Sequence, residues 1–531
     1  MRDLDTLLLH RRIDRLLAQW DGTATPGCTV GVVREGALVL HRSAGMASLD
    51  LGVPIGAATT FRIASVSKQF TCTAILLLAA EGRLSLDADI REILPELPDF
   101  GARITPDHLM HNTSGIRDFL DLMRLGGLDL AQSCTREDLI AVIGRQRSLN
   151  FAPGSRFLYS NTGFLLLGEI AGRVAGEPLA SFLERRVFAP LGMNRTHLVA
   201  STTETVAGLA TGYLPDGNGG VVKARHGFPL GGEGGLVSCV EDLALWDRNF
   251  TTGRVGGAGI AAALTERMAF TGGAPNPYAR GLAVTDHRGI ETVSHGGLWP
   301  GYRTEFLRLP ARNLSVICIV NHGGIDPARL ARQVADAAIG LDEAPMLPET
   351  AVMDAIEGRW VEPEAPMTVE MSRDAEGRAM ATLNGVGFAL LPLPDGSLRA
   401  ASTSFPFTAR TEGGRLAVTL DAGHPVRLHR PASGAALPEG LAGRYVCEEV
   451  GAEWTLAPQP DGAMAASVSG PLAKAGPWAV LPIEGDVIRI EVPGTLFPAW
   501  TDVRALREAG GITALLVNAG RSRGLRFRRQ G

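Results

Sequence analysis

Apolar and polar positions alternate with two different periods along this chain. Residues 29–33 and 38–43 read as short strands, whereas residues 65–81 place apolar side chains at helical spacing and stop at Gly82. Strands and helices mix in this way to about residue 340, which predicts an α/β (α+β) unit over residues 1–340. A last helical stretch at 327–339 is followed by a segment carrying Pro345 and Pro348, and beyond it helical periodicity gives way to short strand-like runs. A domain boundary near residue 345 follows.

The C-terminal part repeats itself weakly. Gly358-Arg359-Trp360 recurs as Gly443-Arg444-Tyr445, Ala379-Met380-Ala381 as Ala463-Met464-Ala465, and Leu391-Pro392-Leu393 as Leu481-Pro482-Ile483. Phe405-Pro406 recurs as Phe497-Pro498, and Val426-Arg427-Leu428 resembles Leu525-Arg526-Phe527. Five matches in one order predict two similar antiparallel β-barrels, at 350–431 and 437–531, split across the proline-bearing segment between them.

Composition narrows the function classes. The net charge is −5 with no long run of one sign, so neither nucleic acid nor an anionic membrane is an expected partner. The N-terminus has no basic, long-apolar leader pattern, and the densest apolar run, residues 74–80, is far shorter than the roughly 20 residues that span a bilayer. A cytoplasmic location is the expectation. Six widely spaced cysteines offer no zinc or redox motif, and no metal or organic cofactor is expected. Of the 51 basic residues only Lys68, Lys223 and Lys474 are lysine, so each invites the question of why arginine would not serve.

One of the three answers it. In Ser65-Val66-Ser67-Lys68 a spacing of three residues on a helix puts the amine about one turn from the hydroxyl. A hydroxyl becomes a useful nucleophile only when its proton has somewhere to go, and a buried lysine can shed its own proton while an arginine cannot. Taken alone, the pair fits equally a helix-capping serine followed by a solvated lysine. Two further motifs bear on this: Tyr159-Ser160-Asn161, in a turn running into an apolar helix, and His295-Gly296-Gly297, on a strand whose glycines clear room for close backbone approach.

Together, in this order, the three motifs resemble those of the penicillin-recognising serine hydrolases: class C β-lactamases, D,D-carboxypeptidases, family VIII esterases and D-aminopeptidases. His111-Asn112-Thr113-Ser114-Gly115, Pro190-Leu191-Gly192-Met193 and Gly234-Gly235-Leu236 extend the resemblance over roughly residues 10–335. A third motif beginning with His295 rather than lysine, followed by two barrels, is similar to the D-aminopeptidase branch. The resemblance implies Ser65 as the acylated nucleophile and Lys68 and Tyr159 as its proton carriers. It further implies Asn161, His295 and Gly297 as substrate-binding residues, with an oxyanion site between the backbone N–H groups of Ser65 and Leu298.

In D-aminopeptidases a loop of the last barrel offers a carboxylate to the substrate's free ammonium group. The equivalent expected here is the loop 491–500, with Glu491 and Trp500 reading the substrate, and specificity rather than chemistry is expected of the barrels. The expected partner is a small peptide, amide or ester, with a homodimer as the allowed assembly. An esterase, a D-amino-acid amidase or a D,D-peptidase stays open beside a D-aminopeptidase, as does a non-catalytic penicillin-binding module, which intact Ser65, Lys68 and Tyr159 argue against.

Overall fold

The structure, a computed structural model, describes residues 2–342, 350–362, 364–401, 407–420, 425–494 and 499–531. The short-period segments of the N-terminal unit pair as one antiparallel sheet of six strands: β1 (Cys28–Arg34), β2 (Ala37–Ala44), β3 (Ala283–His287), β4 (Ile290–Trp299), β5 (Tyr302–Leu309) and β6 (Leu314–Val320), in the order β3-β4-β5-β6-β1-β2. Every position of β6 is buried, because apolar side chains meet packed layers on both of its faces. One face is covered by α1 (Arg2–Leu17) and a C-terminal helix (Pro327–Ala338), whose side chains Ile13 and Val334 pack with Val30 and Val316. Asp326 starts the latter helix by accepting the N–H groups of Ala328 and Arg329, with Pro327 at its first position.

The opposite face carries the helices that build the site: α2 (Lys68–Ala80), α3 (Phe119–Leu125) and α4 (Asn161–Ala175). Gly82, at φ +69, supplies the left-handed residue that closes the α2 stretch. Among the described residues no helix is long and apolar enough to cross a membrane.

Residues 358–428 form an eight-stranded antiparallel meander whose ends meet through two hydrogen bonds between Val361 and His429, so it is nearly closed. Residues 443–530 form a fully closed eight-stranded barrel, its first strand Gly443–Cys447 pairing with its last, Ser522–Gln530. The sequence repeat falls on equivalent strands of the two, the first, third, fourth and eighth. Its Phe405-Pro406 and Phe497-Pro498 members lie outside the described residues.

The first strands show why the repeat persists. Trp360 Nε1 donates to the carbonyl four residues earlier, as does Tyr445 Oη, while Arg359 and Arg444 each pair with a glutamate on the next strand, Glu370 and Glu453. Each aromatic is buried and finds its polar partner locally.

The two barrels differ in how they attach. The meander has an apolar core of its own, around Trp360, Val369 and Leu416. The closed barrel shares one continuous core with the hydrolase unit, in which Trp454 and Phe527 belong with Phe119 and Leu125, and Trp454 Nε1 donates to the carbonyl of Leu125 at 2.9 Å.

Candidate active site

The chain approaches Ser65 along a short strand, Phe61–Arg62, and turns at Ala64, a non-glycine residue held at φ +49. Residues Ala64–Ser67 form a 3₁₀ turn that leads into α2. Left-handed backbone at alanine costs about 1–3 kcal/mol and persists only where neighbours enforce it. Here Ser67 Oγ donates to the Ala64 carbonyl at 2.6 Å and accepts the N–H of Leu236 at 3.1 Å, which ties the turn to the Gly234-Gly235-Leu236 segment.

β4 presses on the same turn from the other side. A Cβ on Gly297 would stand 2.3 Å from the Ile63 carbonyl oxygen and 3.2 Å from Ala64 Cβ. The room this glycine clears is therefore taken by the protein's own chain rather than by a ligand, and Gly297 serves the site by letting β4 lie against the serine turn.

Lys68 is fully buried, and its Nζ lies 3.1 Å from Ser65 Oγ, 2.9 Å from Asn161 Oδ1 and 2.6 Å from the Glu233 carbonyl oxygen. The rings of Tyr159 and Phe164 stand 4.8 and 5.1 Å away. Burial lowers its pKa to about 7; Glu233 and Asp118 work against that shift and Arg521 works with it. A neutral amine keeps two N–H groups and one lone pair. With Asn161 and the Glu233 carbonyl taking the N–H groups, the lone pair is left for the Ser65 hydroxyl.

Tyr159 is buried over the same lysine, and its hydroxyl has no hydrogen-bond partner among the described residues. Burial pushes its pKa above the ordinary phenol value, opposed by Arg521 and the nearby Ser65 hydroxyl, so it is a neutral phenol at physiological pH. The segment carrying it is braced by the Asn112 motif: Asn112, at φ +54, accepts the Ser160 N–H on Oδ1 and the Leu158 N–H on its carbonyl. Asn161 opens α4 and donates both its backbone N–H and its Nδ2 to Asp118 Oδ2, at 2.8 and 2.9 Å. Asp118, fully buried, also caps α3 through the Leu120 N–H.

His295 lies in the interior rather than on the cleft wall. Its Nε2 is 2.8 Å from Tyr278 Oη and its Nδ1 2.6 Å from the Gly296 carbonyl, and burial followed by the Lys68 charge lowers its pKa to about 3. A neutral ring donating from Nδ1 and accepting at Nε2 satisfies both contacts, so His295 braces β4. Leu298 is 40% exposed on the cleft, where β3 has already ended opposite Ser294. This stretch of β4 has no strand beside it on that side among the described residues.

The cleft is a cavity of about 260 Å³, with Ser65, Asn161 and Leu298 on the hydrolase side. Its walls are largely apolar and come from all three units, with Phe119 and Trp299 joined by Val386 and Phe388 of the meander and Gly520 and Arg521 of the closed barrel. Asp121 and Glu233 are acids on the same wall.

Of the expected specificity loop the structure describes only the two ends. Glu491 is exposed on strand Val487–Val492 and pairs with Trp500 across the hairpin, and neither lines the cleft. Trp500 donates to Thr368 Oγ1 and stacks on the Arg489 guanidinium, which commits it to the contact between the barrels; residues 495–498 lie outside the described residues. Among the described residues, the closed barrel reaches the cleft with the next hairpin, between strands Gly511–Ala519 and Ser522–Gln530. Sequence reasoning missed Arg521 on that hairpin, and also Asp118, Asp121 and Glu233. The flanking Gly520 and Gly524 mark a turn, but nothing local says where the turn docks.

Residues 12–340 match the family model described as Beta-lactamase. Over the full length the chain is 30% identical to a D-aminopeptidase of Cereibacter sphaeroides, covering 99% of each chain, and 26% identical to a D-aminopeptidase of Brucella anthropi, covering 100% and 99%. Among solved structures it is similar to a D-amino acid amidase from Ochrobactrum anthropi SV3 complexed with D-phenylalanine (TM-score 0.53, 25% identity, 62% of this chain and 99% of that one). It is similar in fold to an octameric penicillin-binding protein homologue from Pyrococcus abyssi (TM-score 0.58, 24% identity, 79% and 98%).

Proposed function

The chain belongs to the beta-lactamase family of serine hydrolases, and from that premise we propose that it is a D-aminopeptidase working through an acyl-enzyme on Ser65. The observation that carries the chemistry is the 3.1 Å approach of Lys68 Nζ to Ser65 Oγ in a site dry enough to bring the amine to about neutral pH. Ser65 Oγ attacks the scissile carbonyl carbon and passes its proton to Lys68. The backbone N–H groups of Ser65 and Leu298 receive the oxyanion. Lys68 relays the proton through the Tyr159 hydroxyl to the leaving amine as the C–N bond breaks. Water then attacks the ester, giving its proton back along the same path, and releases the acid and free Ser65.

The substrate reading rests on the name carried by relatives of equal length. The same reading assigns residues 1–340 to the hydrolase unit and 350–431 and 437–531 to the barrels. It takes the enzyme as cytoplasmic, in keeping with six cysteines, none of them in a disulfide.

A panel of alanine p-nitroanilides and p-nitrophenyl esters, D and L, free and N-acetylated, tests the substrate class. Free D-alanine p-nitroanilide is expected to exceed its L and acetylated counterparts in kcat/KM by roughly 10²-fold, because a polar group left unmatched in a buried site is strongly rejected. Preference for acetylated or ester substrates would move the assignment to an esterase or an amidase of blocked residues.

A further inference from the structure

We infer that Arg521, supplied by the closed barrel, is a positioning residue for the reaction: it holds Tyr159 and the Asp118–Asn161–Lys68 chain in place beside Ser65. The inference rests on the roles proposed above for Ser65, Lys68 and Tyr159.

Its basis is a hairpin fixed independently of the side chain at its tip. The Arg521 N–H donates to Asp121 Oδ2 at 2.8 Å and its carbonyl accepts Asn150 Nδ2 at 2.9 Å. The Arg523 N–H donates to Asn150 Oδ1 at 2.8 Å, and Ser522 Oγ donates to the Asp118 carbonyl at 3.3 Å. These contacts leave the guanidinium 4.7 Å over the Tyr159 ring, with Nη1 3.6 Å from Asp118 Oδ2. That oxygen is the one holding both nitrogens of Asn161, whose Oδ1 in turn meets Lys68. One cation thus touches the two elements that set the geometry of the proton path, the phenol by a cation–π contact and the lysine through two intervening side chains.

The charges around the path give the sign. Lys68 faces Glu233 from the loop before Gly234, Asp118 from the start of α3 and Arg521 from the barrel, with the Cys72 thiol on its own helix and the uncharged His295 on β4. Tyr159 faces Arg521, Asp118 and Tyr278. Arg521 itself faces Asp118 and Asp121, the latter with Arg124 as its other cationic neighbour. Glu233 and Asp118 both favour a protonated Lys68. Arg521 opposes them; without it the lysine keeps its proton to higher pH and the serine loses its acceptor.

The test is the rate at which a fluorophosphonate probe labels the full-length chain as a function of pH, for wild type, Arg521→Met, Arg521→Gln and Arg521→Lys, with Ser65→Ala as the blank. Both neutral variants are expected to move the acidic limb up by roughly one pH unit, with Arg521→Lys in between and the rates converging at high pH. Two neutral variants are used so that a folding defect in one, seen as lost cooperative thermal unfolding, leaves the other to decide. An unmoved limb with a uniform loss of rate would overturn the inference and leave the nucleophile assignment intact. Full labelling of Ser65→Ala would instead overturn the assignment of Ser65.

Discussion

Lys68→Arg is expected to cost roughly 10²–10⁴-fold in kcat, close to the loss in Lys68→Ala, although it keeps the positive charge. The reason is protonic rather than electrostatic. A guanidinium stays charged at every accessible pH, so it cannot take the proton that Ser65 must lose on attack. It is also larger, in a site where Lys68 is already fully buried among three polar partners and two rings. The wild-type pH profile should carry the same signature. Burial places the Lys68 transition near pH 7, so kcat/KM rises as the pH increases through that value and the amine becomes neutral, and falls below it as the amine is protonated. Steady-state kinetics on the best substrate of the panel checks both. An arginine variant with near-normal kcat and an unchanged profile would reduce Lys68 to a fixed charge.

Gly297→Ala is expected to be nearly as damaging for a different reason. The added Cβ would meet the Ile63 carbonyl at 2.3 Å, and carbonyl backbone in a packed turn cannot rotate away as a side-chain tip would. Either β4 or the Ser65 turn must shift. Overpacking of this kind costs about 1–3 kcal/mol of stability, and a displacement near 1 Å of the nucleophile costs roughly 10²-fold in rate. Thermal unfolding and kcat measured together check this. Unchanged kcat in a folded Gly297→Ala protein would show that the turn and β4 are not in register as described.

What was legible in the sequence divides along a physical line. Strands such as β1 and β2, the helix after Ser65 and the duplicated barrels announce themselves through local patterning and turn residues, because their burial pattern follows from neighbours a few residues away. The Ser65–Lys68 pair is legible for the same reason, being one helical turn. Gly297 is legible as a close approach but not for what approaches, since a glycine records only that something comes close. His295 is legible too, yet its role depends on Tyr278 and the Gly296 carbonyl, which make it a neutral brace.

Arg521 was illegible altogether. Its backbone bond to Asp121 joins residues 400 positions apart, and no composition or motif signals which of several barrel hairpins docks at the cleft. The same docking makes the closed barrel part of the hydrolase core and sets the Arg521 guanidinium over the Tyr159 ring.

The most direct test of the central claim is to locate the covalent bond. Fluorophosphonate-treated protein, digested and mapped by mass spectrometry, should carry the adduct on Ser65, and Ser65→Ala should show neither adduct nor turnover of the best substrate above the uncatalysed background. An adduct on another residue, with turnover retained in a folded Ser65→Ala protein, would contradict it.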